Sequence, residues 1–215
     1  MQTERKFDMR AEQEVSRFLC TYFYPALCPA FQKETSLDMQ YAGVDISFGN
    51  VFIDEKCQLE RLNHLFIPTQ CLELCSINRA GNFSLGWYLD PRKKTTHYLF
   101  TWVSSCNVND KRDLTFQGIN EMRCILVSVD KLKKYFASLG ITDTILHKEM
   151  LNMLVHKKAD RIMNNKMYIY LNNNTRLVKT LTKKEAPINF VVPRAVYEAC
   201  CDGKFIVTRN GIRRY

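Results

Sequence analysis

Two aspartates and a lysine stand close together in GVDISFGNVFIDEK, residues 43–56. GVDISF and VFIDEK flank Gly49-Asn50, and a Gly-X pair between two β-rich runs predicts a hairpin closed by a type II′ turn. With those two residues as the loop, Phe48 pairs with Val51, Ile46 with Ile53 and Val44 with Glu55. On the other face Ser47 meets Phe52, Asp45 meets Asp54, and Gly43 meets Lys56. Directly opposed residues have Cβ atoms about 4.5–5.5 Å apart, and like charges placed there are destabilising. Two carboxylates so close either share a proton or hold a cation. The cation that suits paired carboxylates is a hard divalent ion such as Mg²⁺. A lysine beside them can steady a developing negative charge or help activate a water. The plain alternative is a solvated hairpin face. Against it, Val44, Ile46, Phe48, Val51 and Ile53 make the opposite face a core face, so the charged face is fixed in place.

The elements that must position this hairpin can be read along the chain. DMRAEQEVSRFLCTYF (8–23) has Ala11, Val15, Phe18, Leu19, Tyr22 and Phe23 at helical spacing. Pro25 and Pro29 are expected to end that helix. Residues 40–48 and 51–57 read as strands, as do LFIPTQCLELCSI (65–77), the aromatic-rich THYLFTWVSSC (96–106) and CILVSV (124–129). DKLKKYFASLG (130–140) reads as a helix, with Asp130 as N-cap, Leu132, Tyr135, Phe136 and Leu139 inward, and Gly140 as its stop. ITDTILHKEMLNMLVHKKADRIMNNK (141–166) has helical periodicity and then turns basic. MYIYL, INFVVP and KFIVTR read as short strands.

The chain has 215 residues, 46% of them hydrophobic, enough for one domain with a real core. Its net charge of +9 favours a polyanionic partner, most often nucleic acid. Between Lys148 and Lys184 nine Lys or Arg face only Glu149 and Asp160. HKKADR, with Lys157 and Lys158, and LVKTLTKK could follow a phosphate backbone. Trp87 and Tyr88 could stack on a base beside Arg92, Lys93 and Lys94, although a packed surface turn explains them as well. His97 reads as a packed residue.

The N-terminus is charged from residue 4 and has no apolar run of a signal peptide. No stretch approaches the roughly 20 apolar residues of a membrane span. The expectation is a soluble cytoplasmic protein. Its nine cysteines include no CxxC, and His64, Cys71 and Cys75 match no common zinc spacing. Most sit among apolar residues, as core thiols do in a reducing compartment. P-loop, GxGxxG and GxSxG motifs are lacking, which leaves nucleotide-driven and serine-hydrolase readings without support.

An aspartate, a hairpin turn and then (Asp/Glu)-x-Lys on the next strand resembles the PD-(D/E)XK nuclease superfamily, the restriction-endonuclease-like fold. The matching residues are Asp45 and Asp54-Glu55-Lys56, with Val44 where the family name has proline. AEQEV (11–15) resembles the first helix of archaeal Holliday junction resolvases, and Glu12 matches the glutamate that reaches the metal site there, with Glu14 as its neighbour. The resemblance implies an α/β fold: an αβββαβ core over roughly residues 8–140, with a central mixed sheet flanked by helices. A basic α+β extension, 141–215, would complete a single nuclease-like domain. It implies a Mg²⁺- or Mn²⁺-dependent endonuclease on DNA. Asp45, Asp54 and Glu12 would be metal ligands, helped by the backbone carbonyl of Glu55, and Lys56 would be the catalytic lysine. Some relatives use a nearby Gln or Glu, which makes Gln58 a candidate. Glu73, inside a strand, must face solvent or a site and is another. Lys93, Lys94, Lys157 and Lys158 are candidate DNA contacts. Many such nucleases dimerise to cut two strands. The alternative is a catalytically inactive or partner-dependent nucleic-acid-binding protein on the same core, and RNA as substrate stays open.

Overall fold

The computed structural model describes residues 2–64, 69–77, 81–182 and 186–215, with side chains from residue 6 onward. The chain is mixed α/β and folds into two compact units. The first comprises Met1–Ile67, Lys94–Leu132 and Tyr197–Tyr215, and the second Pro68–Lys93 and Lys133–Val196.

Helix α1 (Gln2–Tyr22) buries the expected stripe of Ala11, Val15, Phe18 and Leu19. Pro25 does not follow it into a loop. It lies in the first turn of a short helix, α2 (Tyr24–Leu27), where a missing N–H has no cost. After β1 (Gln32–Lys33) comes α3 (Leu37–Tyr41), started by Ser36, whose hydroxyl accepts from the Met39 N–H. This corrects the strand expected over 40–48. Gly43 turns the chain at φ +74°, and the Val44 N–H bonds back to the Met39 carbonyl, so the strand β2 spans only Ile46–Phe48. Strand β3 (Val51–Gln58) follows as expected. The expected strand 65–77 is β4 (Thr69–Ile77), its first four positions lying outside the described residues. Next come β5 (Phe83–Leu85) and β6 (His97–Cys106). Strand β7 (Ile119–Ser128) begins before the apolar run that announced it, because Ile119 and Met122 are also buried.

Helix α4 (Val129–Ser138) takes Asp130 into its first turn rather than at its cap. Leu132 and Phe136 are buried, but Leu139 is exposed. Gly140, at φ +75°, ends the helix, with the Ile141 N–H bonded to the Phe136 carbonyl. Helix α5 (Asp143–Leu154), capped by Thr142, stops well short of residue 166. Asn164 and Asn165, at φ +50° and +57°, make a two-residue turn between β8 (Arg161–Met163) and β9 (Lys166–Tyr170). Positive φ at both loop positions is the signature of a type I′ hairpin, so Asn-Asn was turn chemistry inside an apparent helix. Lys183 and Lys184 lie outside the described residues. The chain finishes with β10 (Arg176–Thr180), β11 (Ile188–Pro193), α6 (Arg194–Cys200), β12 (Gly203–Thr208) and β13 (Gly211–Arg214).

The first unit carries a seven-stranded mixed sheet, ordered β1-β2-β3-β6-β7-β12-β13. Strands β3 and β6 run parallel and the other neighbours antiparallel. The apolar stripe of α1 packs with Phe23 and Tyr24 against Ile46, Ile53, Leu99, Met122 and Phe205 to form its core. The second unit carries a six-stranded antiparallel sheet, β5-β4-β11-β10-β9-β8. Helix α5 packs on β9 and β10, and Leu146, Met150, Leu177 and Phe190 are buried there. The units do not divide at residue 140. Strands β4 and β5 belong to the second unit, while β12 and β13 complete the sheet of the first. All nine cysteines are free thiols; Cys71 is exposed, and burial pushes the Cys57 thiol up to about 12. No helix among the described residues is long and apolar enough to cross a membrane.

Candidate metal and phosphate site

The hairpin has the expected register. Phe48 pairs with Val51, Ser47 with Phe52 and Ile46 with Ile53. Gly49 takes φ +54°, and Asn50 is not left-handed, which is the φ pattern of a type II′ turn. The ladder stops at Ile46, so the expected Asp45–Asp54, Val44–Glu55 and Gly43–Lys56 pairs all lie beyond it. Asp45 nevertheless stays beside the strand. Its N–H donates to the Ile53 carbonyl at 2.8 Å, and its own carbonyl accepts from the Glu34 N–H at 2.8 Å. Its Oδ2 accepts from the backbone N–H of Glu55, also at 2.8 Å. Three bonds therefore fix an aspartate at the end of a strand.

Asp54 and Lys56 share a face of β3 by the period of two. Lys56 Nζ lies 2.6 Å from Asp54 Oδ1. Asp54 is buried, with 4% of its surface exposed. Burial pushes its carboxyl up to about 7, Lys56 pulls it down, and the charge and hydrogen bond of Asp45 push it up again. Asp54 thus carries the raised pKa of a buried carboxyl that also meets a second carboxyl charge. At Lys56 burial works to lower the pKa, but the carboxylates of Asp54, Asp45 and Glu12 outweigh it and hold the ammonium charged.

Glu12 belongs to the same electrostatic group. It lies three residues before Val15 and seven before Leu19, on the edge of the helix's apolar stripe. Although exposed by surface area, its carboxyl has a raised pKa. The packing around it is the main cause; Lys56 lowers the value and Asp8 and Asp45 raise it. Glu14 is committed elsewhere: its Oε2 accepts from the Phe116 N–H at 2.6 Å.

Glu55 points to the other face of β3, where its Oε1 accepts from the Tyr24 hydroxyl at 2.8 Å. Burial raises its pKa and Lys33 lowers it, and Lys33 itself bonds Ser16. Only the backbone of Glu55 is at the aspartates. Sequence reasoning missed this Glu55–Tyr24–Lys33–Ser16 group, because its members come from four different elements and share no spacing.

The remaining candidates are placed elsewhere. Gln58 Oε1 accepts from the Glu60 N–H at 3.1 Å, as a strand-end turn residue does. Glu73 is half-buried on β4 in the second unit, opposite Asn189. Lys94, in the first unit, is exposed, and its N–H holds the Ala42 carbonyl at 2.8 Å. Lys93, Lys157 and Lys158 are in the second unit, the last two exposed beyond the end of α5. Tyr88 is buried edge-on to Phe136 and is a packing residue. His97 is half-buried, with Nε2 3.9 Å from Asp202.

Paired carboxylates suit a hard divalent cation; the raised pKa of Asp54 comes first from burial, against the pull of Lys56, and then from the charge of Asp45, which such an ion would offset. Among the described residues, no group of three or more His, Cys, Asp or Glu is arranged to hold a metal ion. The fit therefore rests on two carboxylates, with Glu12 in electrostatic reach. No protein-family model, curated protein or solved structure matches the chain.

Proposed function

We propose that the first unit is a metal-dependent endonuclease that hydrolyses phosphodiester bonds in DNA, built on a restriction-endonuclease-like core. The carrying observation is the buried Asp54, with Lys56 Nζ 2.6 Å from its Oδ1 and the half-buried Asp45 bonded to the N–H of the next residue, Glu55. The element order supports the family reading in part: α1, the antiparallel run β1-β2-β3, then β6 parallel to β3. A parallel neighbour needs a crossover, and here residues of the second unit are inserted where the family has a helix.

In this reading Asp45 and Asp54 bind Mg²⁺ or Mn²⁺, with Glu12 and the Glu55 carbonyl able to add oxygens. The ion, when bound, polarises the scissile phosphate and lowers the pKa of a water. Asp54 must lose its proton to take part. Lys56, held charged by three carboxylates, then donates to the phosphate oxygen where negative charge builds, or orients the attacking water. Burial around Asp54 strengthens both interactions. The net charge of +9 suits a DNA partner. A reducing cytoplasm suits nine free thiols.

The test is single-turnover cleavage of DNA with Mn²⁺. Lys56→Ala should slow the chemical step by about 100-fold or more, the scale of losing one preorganised donor, while DNA affinity changes little. Equal rates in the variant and the wild type would remove Lys56 from the chemistry. A second reading, a nucleic-acid-binding protein on a nuclease-like core, is favoured by the lack of a three-ligand cluster among the described residues. It is distinguished by DNA binding without cleavage and without heat on Mn²⁺ titration.

A further inference from the structure

The six-stranded sheet of the second unit has one core face and one open face. Ladder register assigns the residues. Leu177, Ile169, Met167 and Phe190 fall on one face and are buried. Tyr168 and Tyr170 fall on the other, two residues apart on β9. Each has an arginine directly across from it: Arg161 on β8 opposite Tyr168, and Arg176 on β10 opposite Tyr170. Lys166 stands on the same face one step along the strand. Tyr170 is 45% exposed, Arg161 and Lys166 are exposed, and Tyr168 and Arg176 are half-buried. The two rings are nearly parallel, with centroids 6.4 Å apart and planes 16° from each other. Acidic groups lie at the margin. The Asp160 carboxylate accepts from the Tyr170 backbone N–H at 2.7 Å, and Glu73 is three strands away from Tyr168.

We propose that this face binds single-stranded nucleic acid: bases stack on Tyr168 and Tyr170, and Arg161, Lys166 and Arg176 contact the phosphates. Aromatic rings interleaved with cations are the recognition chemistry of an unpaired strand, whose bases expose their π-faces. Charge alone would suit an acidic peptide equally well; the parallel ring pair, with an arginine across the ladder from each tyrosine, favours bases. The carboxylate site of the first unit plays no part in this inference, so the two stand or fall separately.

The test is fluorescence anisotropy with the full chain in EDTA, which prevents cleavage, using labelled oligo(dT) and oligo(U) of about 16 nucleotides, the upper site size of such grooves. The wild type should bind. Tyr170→Ala should weaken binding about tenfold, and Tyr170→Phe, which keeps the ring, should restore it. Arg161→Ala with Arg176→Ala should reduce the slope of log K against log salt by about 1.4, the value for two phosphates of a single strand. A preference for oligo(dT) or oligo(U) would support the proposal and name the strand. Unchanged binding in Tyr170→Ala would overturn it, as would equal binding of a duplex with no effect of ring loss. A shift from dimer to monomer in Tyr170→Ala on sedimentation would also overturn it, by making this face a contact between copies of the chain.

Discussion

Asp54 is buried against a lysine on one side and a second carboxyl on the other, and its proton follows from that arrangement. The folded chain holds it up to a pH of about 7, whereas the unfolded chain releases it near the ordinary value of 3.8. Between those values the folded state binds more protons than the unfolded state, so its stability falls as pH rises. The contribution is fully present below about 4 and lost as pH passes about 7. Metal-free protein should therefore melt at a lower temperature at pH 8 than at pH 5, with Asp54→Asn flattening the trend. A saturating divalent cation held by Asp54 should flatten it too, because it favours the ionised carboxyl. Melting curves across that range check this. An equal slope in wild type and Asp54→Asn would mean that Asp54 is ionised throughout. The same balance gives Lys56 a structural part, because its charge offsets those of Asp54, Asp45 and Glu12.

At the scale of elements, the hairpin from β2 to β3 decides where the aspartates meet. Its turn depends on Gly49, whose φ of +54° costs an L-residue about 1–2 kcal/mol. A Cβ there would touch nothing within 4 Å, so the cost is conformational. Gly49→Ala should lower stability by about that amount in urea denaturation while keeping the fold. No loss would mean that the turn relaxes to another type. The hairpin's three ladder pairs were legible in the sequence because a two-residue loop fixes them by counting, whereas Asp45 is placed beyond the ladder by its bonds to Ile53, Glu34 and Glu55. The stripe of α1 and strand β6 were legible for the same local reason of periodicity. What escaped reading was non-local. Strand β4 pairs with β11, more than 100 residues later, and so joins the other sheet. The short helix α3 hid behind β-rich residues because its start depends on one Ser36 hydroxyl. The Glu55 side chain bonds Tyr24 from α2, a contact no spacing announces.

At the scale of the whole molecule, the chain leaves the first sheet after β3, builds β4 and β5 into a second unit, and returns as β6 beside the strand it left. It leaves again within α4 and returns within α6 to add β12 and β13. Each unit has a distinct chemistry: carboxylates with a lysine in the first, and aromatic rings with arginines in the second. A buried Asp54 carboxyl next to the charge of Asp45 is costly to keep, which is the ground for the functional site proposed there. The most direct measurement incubates the whole protein with supercoiled plasmid and with branched DNA, in Mg²⁺, in Mn²⁺ and in EDTA, with Asp54→Ala alongside. The expected result is cleavage by the wild type with a divalent ion, and none in EDTA or with the folded variant. Cleavage by Asp54→Ala at the wild-type rate, or cleavage that persists in EDTA, would contradict the account.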